Sequence, residues 1–485
     1  MEVSIKLKLK ELLNHGVIFG ITSSLQNVLG FVLLPILTSY YTTSDFGVYS
    51  IILLASSLAS AIFYLGANSA LGRFYYDEDT AEFRKKIIST ALFITFIGAA
   101  VLITLALILG EKLSIWLFHS PDYALHIKLS LSSAAFGFLL NTMTLILRYE
   151  KRSWMFMTII LAGVLTNFSI TYILLTRYHY GLLAPIYGLF FSSGLSFLFL
   201  LVQYLKNLTV FFNKSHVYQI LTFGLQSSVT GLLFYLLDWV DRLIIKDLLP
   251  MSDVGIYSLG YRLGSVMNIL LIVPFSLIWG PIRMQYAQNT NNKEFVARVI
   301  SYFSMVGIAI VFVAVLFGED LMNLFFKNHS YADAAKLYPI IMLSMLFFGF
   351  QNIVDFGIYL HKKVYFYIII SGIGLVFNVG MNYWLIPHFG YIAAAYVTLL
   401  TYTVTTMLIY FASRSYYKLH IEWQRLIGPL VFLLAIYFMI AYSNFFNSFS
   451  LIKKAAVVIA ALVLFIKFWL NKSEINNLNR LIAKK

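Results

Sequence analysis

The sequence has no cysteine and little charge. Without cysteine, its 485 residues can form no disulfide framework, thiolate nucleophile or thiolate metal centre. Asp, Glu, Lys and Arg make up 12% of the chain, about half the ~25% of an ordinary soluble domain, which excludes a soluble globular protein. There is also no long loop on the side expected to be external, and no outer loop carries an Asp-x-Asp pair. A membrane glycosyltransferase or polymerase would therefore have nowhere to keep its catalytic groups. No P-loop, His-rich metal motif or nucleophile elbow occurs. These absences point away from an enzyme.

What the chain does have is hydrophobicity: 60% apolar residues, 17% aromatic ones and a mean hydropathy of +0.81. Apolar runs of about 20 residues read as membrane-crossing helices. Fourteen are expected, near 13–38, 45–71, 87–109, 126–147, 153–176, 181–204, 219–249, 253–282, 295–317, 334–360, 364–386, 390–412, 425–443 and 453–470. The first is too long for a cleaved leader, and "LPILTSYYTT" offers no small-residue cleavage pattern. With the N-terminus cytoplasmic, and residues in the first or last turn of a span counted with the adjoining loop, 25 of the 35 Lys and Arg fall on inner segments, 8 on outer loops and 2 deeper inside spans. That bias places both termini in the cytoplasm. The net charge of +14 is thus mostly a topology signal and supplies no argument for nucleic acid.

Within this apolar chain, "SDFGVYS" from Ser44 returns as "SDVGIYS" from Ser252, 208 residues later. "FGITSS" from Phe19 pairs with "FGLQSS" from Phe223, and "GEKLSIWLF" from Gly110 with "GEDLMNLFF" from Gly318. The loop "EKRSWMF" parallels "HKKVYFY", and Asn167 and Tyr172 align with Asn378 and Tyr383. So steady an offset indicates a duplication of six spans. Six is even, so the copies enter the membrane in the same direction, a parallel repeat about an axis along the membrane normal. The expected architecture is an all-α integral membrane protein with two six-helix lobes. Residues 1–205 hold spans 1–6, 206–218 form a cytoplasmic amphipathic linker, and 219–415 hold spans 7–12. Residues 416–485 add spans 13–14 and a cytoplasmic tail. Architectures of this kind bind substrate near mid-membrane between repeats and expose it to alternate sides. A non-transporting scaffold is the other reading.

"DFGVYS" after span 1 and "VDRLIIKDLLPMSDVGIYSLGYRL" from Val240 resemble the polysaccharide transporter family, the Wzx-type flippases of the multidrug/oligosaccharidyl-lipid/polysaccharide exporter superfamily. The similarity covers roughly residues 10 to 415. The resemblance implies a V-shaped bundle with a polar, largely cationic cavity. It also implies a substrate, a polyprenyl-diphosphate oligosaccharide moved from the cytoplasmic to the outer leaflet of a bacterial inner membrane, for cell-surface polysaccharide such as O-antigen. A monomer without cofactor is expected, with membrane lipids and polysaccharide-assembly proteins as partners. Many family members have twelve spans and the related lipid II flippases fourteen, so spans 13–14 leave the subfamily open. They can shelter the lipid tail or simply anchor. A cation-coupled drug or metabolite antiporter of the same superfamily is the alternative.

Charges at membrane depth are costly, about 2.5–3.5 kcal/mol each, and are functional candidates by default. Spans 1–6 hold essentially none, whereas spans 7–12 hold Asp238, Asp241, Arg242, Arg262 and Asp355. Arg262 lies about 15 Å into span 8, near the midplane, where a guanidinium can grip a diphosphate bidentately. Asp241, at similar depth, can instead neutralise it. Asp238 and Arg242, at i and i+4, read as a self-neutralising pair or as a site for a coupling ion, Na+ or H+. Asn27 and Asn68 complete the candidate cavity set; with Asn141, Asn378 and Asn382 they read first as interhelical hydrogen-bonding groups. Arg73, Arg283 and Arg148 at cytoplasmic span ends, with Asp355 and Asn352, form a candidate entrance; the bland reading is headgroup anchoring, with Asp355 in a wet mouth. Pro274 is expected to kink span 8. In the repeated heptamers, Ser44 or Ser252 is expected to cap a helix, with Asp45 or Asp253 at its positive end. Gly47 or Gly255 is expected to admit a neighbouring helix.

Overall fold

A computed structural model describes residues 2–205, 214–286, 293–363, 365–418, 422, 425, 427–428, 430–432 and 451–469. Every regular element among them is helical. Eleven helices are long and apolar enough to cross a membrane, and a helix within 216–248, bent by 42° near residue 234, makes twelve if its two pieces are one span. The expected thirteenth span, 425–443, and the linker residues 206–213 lie largely outside the described residues.

By packing, the chain divides into two compact units, Met1–Ser258 and Leu259–Lys485. The first contains α1 (Glu2–Tyr40), α2 (Thr43–Phe63), α3 (Ala67–Phe74), α4 (Ala81–Phe118), α5 (Ala124–Tyr149), α6 (Ser153–Thr176), α7 (Leu183–Tyr204), α8 (Lys214–Leu248) and the start of α9 (Met251–Gly264). Helix α5 packs on α4 and α7, and α6 packs on α1 and α7. Small hydroxyls tie the helices where hydrocarbon offers no other partner: Ser56 meets Ser130 at 2.6 Å, and Tyr41 donates to the Gly181 carbonyl at 2.9 Å. Helix α8, expected in the second lobe, packs on α2 and α3. Glycines permit this, because a Cβ at Gly66 would overlap the Gly224 carbonyl and one at Gly224 would overlap that of Leu65.

The second unit continues α9 into a π turn (Asn268–Ile272) and α10 (Val273–Tyr286), followed by α11 (Lys293–Leu316), α12 (Gly318–Phe325), α13 (Ala334–Val354), α14 (Phe356–Leu360), α15 (Tyr365–Phe389), α16 (Tyr391–Arg414) and α17 (Leu451–Trp469). Asn382 donates to Asn378 at 2.8 Å, Asn378 to Thr401 at 3.3 Å and Gln351 to Thr405 at 3.0 Å. These asparagines thus bridge α15 and α16, as expected of polar groups in hydrocarbon. Along α11, Ser301 donates to Glu422 at 3.1 Å, and at the other end Lys454 of α17 pairs with Asp320 of α12.

Local chemistry explains where the helices start and break. Helix α2 opens on a capping box: the Thr42 hydroxyl accepts from the Asp45 amide at 3.1 Å, and Asp45 accepts from the Thr42 amide at 3.0 Å. The cap is therefore Thr42 and not Ser44, because a capping box spaces hydroxyl and carboxylate three residues apart. At Pro274, where a kink is expected, the structure shows a π turn just before the proline. The Val273 amide bonds back five residues to the Asn268 carbonyl, a π register next to a proline that has no amide hydrogen to donate.

The loops after α5 and α14 carry matching hydrogen bonds. Glu150, Lys151 and Arg152 donate to Ile146, Arg148 and Leu147; His361, Lys362 and Lys363 donate to Gly357, Tyr359 and Ile358. Lys151 and Lys362 both sit left-handed, at φ 57° and 56°. Each set closes a Schellman-type helix end.

Candidate functional site

In the first unit, α8 places Asp238, Trp239, Asp241 and Arg242 on one and a half turns, and the first turns of α9 bring Tyr257 to them. Asp241 is 0% exposed and Arg242 3%. The Tyr257 hydroxyl donates to Asp241 Oδ2 at 2.6 Å. The Arg242 guanidinium lies 4.2 Å over the Trp239 ring and 5.7 Å from that of Tyr257, a geometry that recovers part of the lost hydration through the ring quadrupoles. Its Nη1 donates to the Asp238 main-chain carbonyl at 2.9 Å. The expected neighbours Asp238 and Arg242 are thus in contact through this hydrogen bond. Sealed in this way, Asp241 and Arg242 present no open face to a solute.

Arg262 differs. It occupies the last turn of α9, and its side chain is exposed; among the described residues of its unit no acid pairs with it. Of the remaining cavity candidates, Asn27 on α1 is exposed, and Asn68 on α3 is half-buried with a buried Oδ1 that has no hydrogen-bond partner.

The entrance candidates fall into two groups. Arg73, at the end of α3, is exposed and pairs with Asp77 at 2.6 Å; Arg148 lies 4.6 Å over the Phe156 ring. In the second unit, Arg283 and Asp355 form one tight cluster. Arg283 Nη1 reaches Asp355 Oδ1 at 3.2 Å, the guanidinium stacks 3.5 Å from the Tyr359 ring centroid, and Tyr367 donates to Asp355 Oδ2 at 2.6 Å. Trp279, one turn before Arg283, donates to the Asn352 carbonyl at 2.8 Å. Asp355 is only 6% exposed, which corrects the expected wet mouth: helix α15 brings Tyr367 over it. Arg283 is accordingly occupied, and Arg73 and Arg148 are the more open cations.

The sequence reading did not single out Trp239, Tyr257, Tyr359 and Tyr367, the aromatic partners of these charges. Tyr257 had a signal, since it is the tyrosine of the repeated heptamer. The others are three among many aromatics, and only tertiary contact distinguishes them.

Residues 13–287 match the family model described as polysaccharide biosynthesis protein. No curated protein matches the chain in sequence. Among solved structures, lipid II flippase MurJ in an inward closed conformation matches with a TM-score of 0.75 at 16% identity, over 93% of this chain and 98% of that one. An inward-facing multidrug resistance MATE family transporter of the MOP superfamily matches at 0.67 and 15% identity, over 80% and 94%. An outward-facing one matches at 0.63 and 16%, over 84% and 95%. At these identities the likeness is one of fold.

Proposed function

The chain belongs to the polysaccharide biosynthesis protein family, and on that premise we propose that it is a flippase. Its substrate is a polyprenyl-diphosphate-linked oligosaccharide, carried from the cytoplasmic to the outer leaflet by alternating access. The observation that supports this reading best is the contrast among the buried-span charges. Asp241, Arg242 and Asp355 are closed in by aromatic and main-chain partners, while Arg262 keeps an exposed guanidinium. A guanidinium stays charged and offers a planar fork that matches phosphate oxygens. The coarse fold likeness to a lipid II flippase is consistent with a lipid-linked substrate. The inner membrane, cytoplasmic termini and monomeric state belong to the same proposal, as do six-span lobes at 1–205 and 219–415.

The test is leaflet exchange of a fluorescent polyprenyl-diphosphate glycolipid in proteoliposomes. Arg262→Ala is expected to slow exchange about tenfold or more, the loss of one charge-assisted contact of about 1.5–3 kcal/mol. Arg262→Lys should retain part of the rate, because a point charge replaces a fork. Unchanged exchange in Arg262→Ala would remove that residue from the path. The likeness to multidrug transporters favours a second reading, cation-coupled drug export. Drug uptake driven by a Na+ or H+ gradient in the same vesicles would replace the first reading if glycolipid exchange were absent.

A further inference from the structure

Three helices of each unit, α5 to α7 and α14 to α16, meet at a turn of the same design, with the charge reversed at one position. In the first unit the turn after α5 carries Glu150, Lys151 and Arg152, and Tyr204 at the end of α7 packs on it. The Tyr204 hydroxyl donates to Glu150 Oε2, and Arg152 Nη1 stands 3.8 Å from the same oxygen. The Arg152 guanidinium lies 5.8 Å from the Tyr204 ring. This turn therefore holds its own counter-charge.

In the second unit the turn after α14 reads His361, Lys362 and Lys363, so a histidine stands where the first has its acid. Just past the end of α16, the Tyr416 ring meets that of His361 at 5.2 Å and that of Phe366 at 6.2 Å. Ser413 fixes the crossing, its hydroxyl accepting from the Gly357 amide at 2.8 Å. His361 Nδ1 lies 3.1 Å from the Gly357 carbonyl. A carbonyl only accepts, so Nδ1 carries the hydrogen and Nε2 is the nitrogen left to gain a proton. Arg414 and Lys418 stand two residues to either side of Tyr416. All of these basic side chains are exposed, and among the described residues none forms an ion pair. The neighbouring acids are taken, Asp355 by Arg283 and Tyr367, and Glu422 by Arg425 and Ser301.

The candidate spans Ala334–Val354, Tyr365–Phe389 and Tyr391–Arg414 bracket this corner, which sets its cations just beyond the hydrocarbon, at the level of lipid headgroups. Tyr365, half exposed at the start of α15, hydrogen-bonds with Tyr416 at that level. Basic groups clustered between span ends on the expected cytoplasmic side suit an anionic headgroup. A phosphate accepts from ammonium and guanidinium donors together, whereas a zwitterionic headgroup would bring a further cation among them. We propose that the corner around Tyr416 is a binding site for the phosphate of an anionic membrane phospholipid, with Lys362, Lys363 and Arg414 as its principal charges. The Glu150 turn of the first unit, already neutralised, is not such a site. This inference does not depend on which solute the protein carries.

The test titrates full-length protein in mild detergent with phosphatidylglycerol or phosphatidylcholine and counts the retained lipids by native mass spectrometry. Lys362→Gln/Lys363→Gln is expected to weaken the tightest-bound phosphatidylglycerol about fivefold for each charge removed. Its thermal midpoint in lipid-free detergent should be unchanged, which separates lost binding from lost folding. His361→Glu, which gives the second turn the acid of the first and keeps both lysines, should weaken the same lipid. Lys151→Gln/Arg152→Gln removes the same charge from the first unit and should leave that affinity as it is. Phosphatidylcholine should be retained alike by every variant. Wild-type affinity in Lys362→Gln/Lys363→Gln, or an equal loss in Lys151→Gln/Arg152→Gln, overturns the site. Displacement of phosphatidylglycerol by an equimolar polyprenyl-diphosphate glycolipid overturns the phospholipid as its occupant.

Discussion

Arg283 and Asp355 show how a charge can be placed at low exposure. The guanidinium has a carboxylate on one side and the Tyr359 ring on the other, and the carboxylate also accepts from Tyr367. Removing one partner from such a pair leaves the other uncompensated, at a cost of about 3–5 kcal/mol, while removing both together is often near neutral. Asp355→Ala should therefore lower the thermal midpoint in detergent markedly, and Arg283→Met/Asp355→Leu much less. An equal loss in both would show that packing and not charge sets the cost. Tyr257→Phe leaves Asp241 one hydrogen bond short and is expected to destabilise the protein by about 1–3 kcal/mol, read as a lower midpoint with secondary structure retained. Sequence alone marked these charges because charge is rare in hydrocarbon, but it could not say which were closed in. Asp241 and Arg262 looked alike at similar depth; in the structure Asp241 is buried and accepts from Tyr257, and Arg262 is exposed.

Helix boundaries were legible where local chemistry dictates them and obscure where tertiary contact does. The start of α2 follows from a hydroxyl and a carboxylate at capping-box spacing, although the hydroxyl is that of Thr42 and not the serine inside the heptamer. Thr42→Ala should cost about 1 kcal/mol, and Ser44→Ala only a few tenths; equal effects in a thermal scan would reject the assignment. The π turn before Pro274 lies where a missing amide hydrogen was expected to disturb the helix. The break at Gly66 was not legible, since it depends on the approach of Gly224 from a distant part of the chain. The pair "GEKLSIWLF" and "GEDLMNLFF" makes the same point. The first runs inside continuous α4, whereas a break at Phe317 sets the second off as α12.

At the scale of the whole chain, the Lys and Arg bias assigns the loops to sides, and two contacts link segments assigned to the same side. Loops bearing Asp320 and Lys454 are assigned to one side by the charge distribution, and the two residues pair. The start of α11 and Glu422 are assigned to the other, and Ser301 reaches Glu422. Reporters fused to either terminus should both read cytoplasmic; an external readout from one would break the even count of spans. The class of protein and most spans followed from composition and run length, because hydrocarbon solvation imposes them on sequence directly. The substrate does not follow in that way, since a cavity is defined by which groups remain exposed.

The central claim is that the substrate is recognised through its diphosphate. The most direct measurement compares exchange rates, in one preparation of proteoliposomes, of a polyprenyl-diphosphate oligosaccharide and the same oligosaccharide on an uncharged lipid. If the diphosphate is what the protein grips, the first exchanges rapidly, the second little, and Arg262→Ala abolishes the difference. Equal rates for both lipids in the wild-type protein would contradict it.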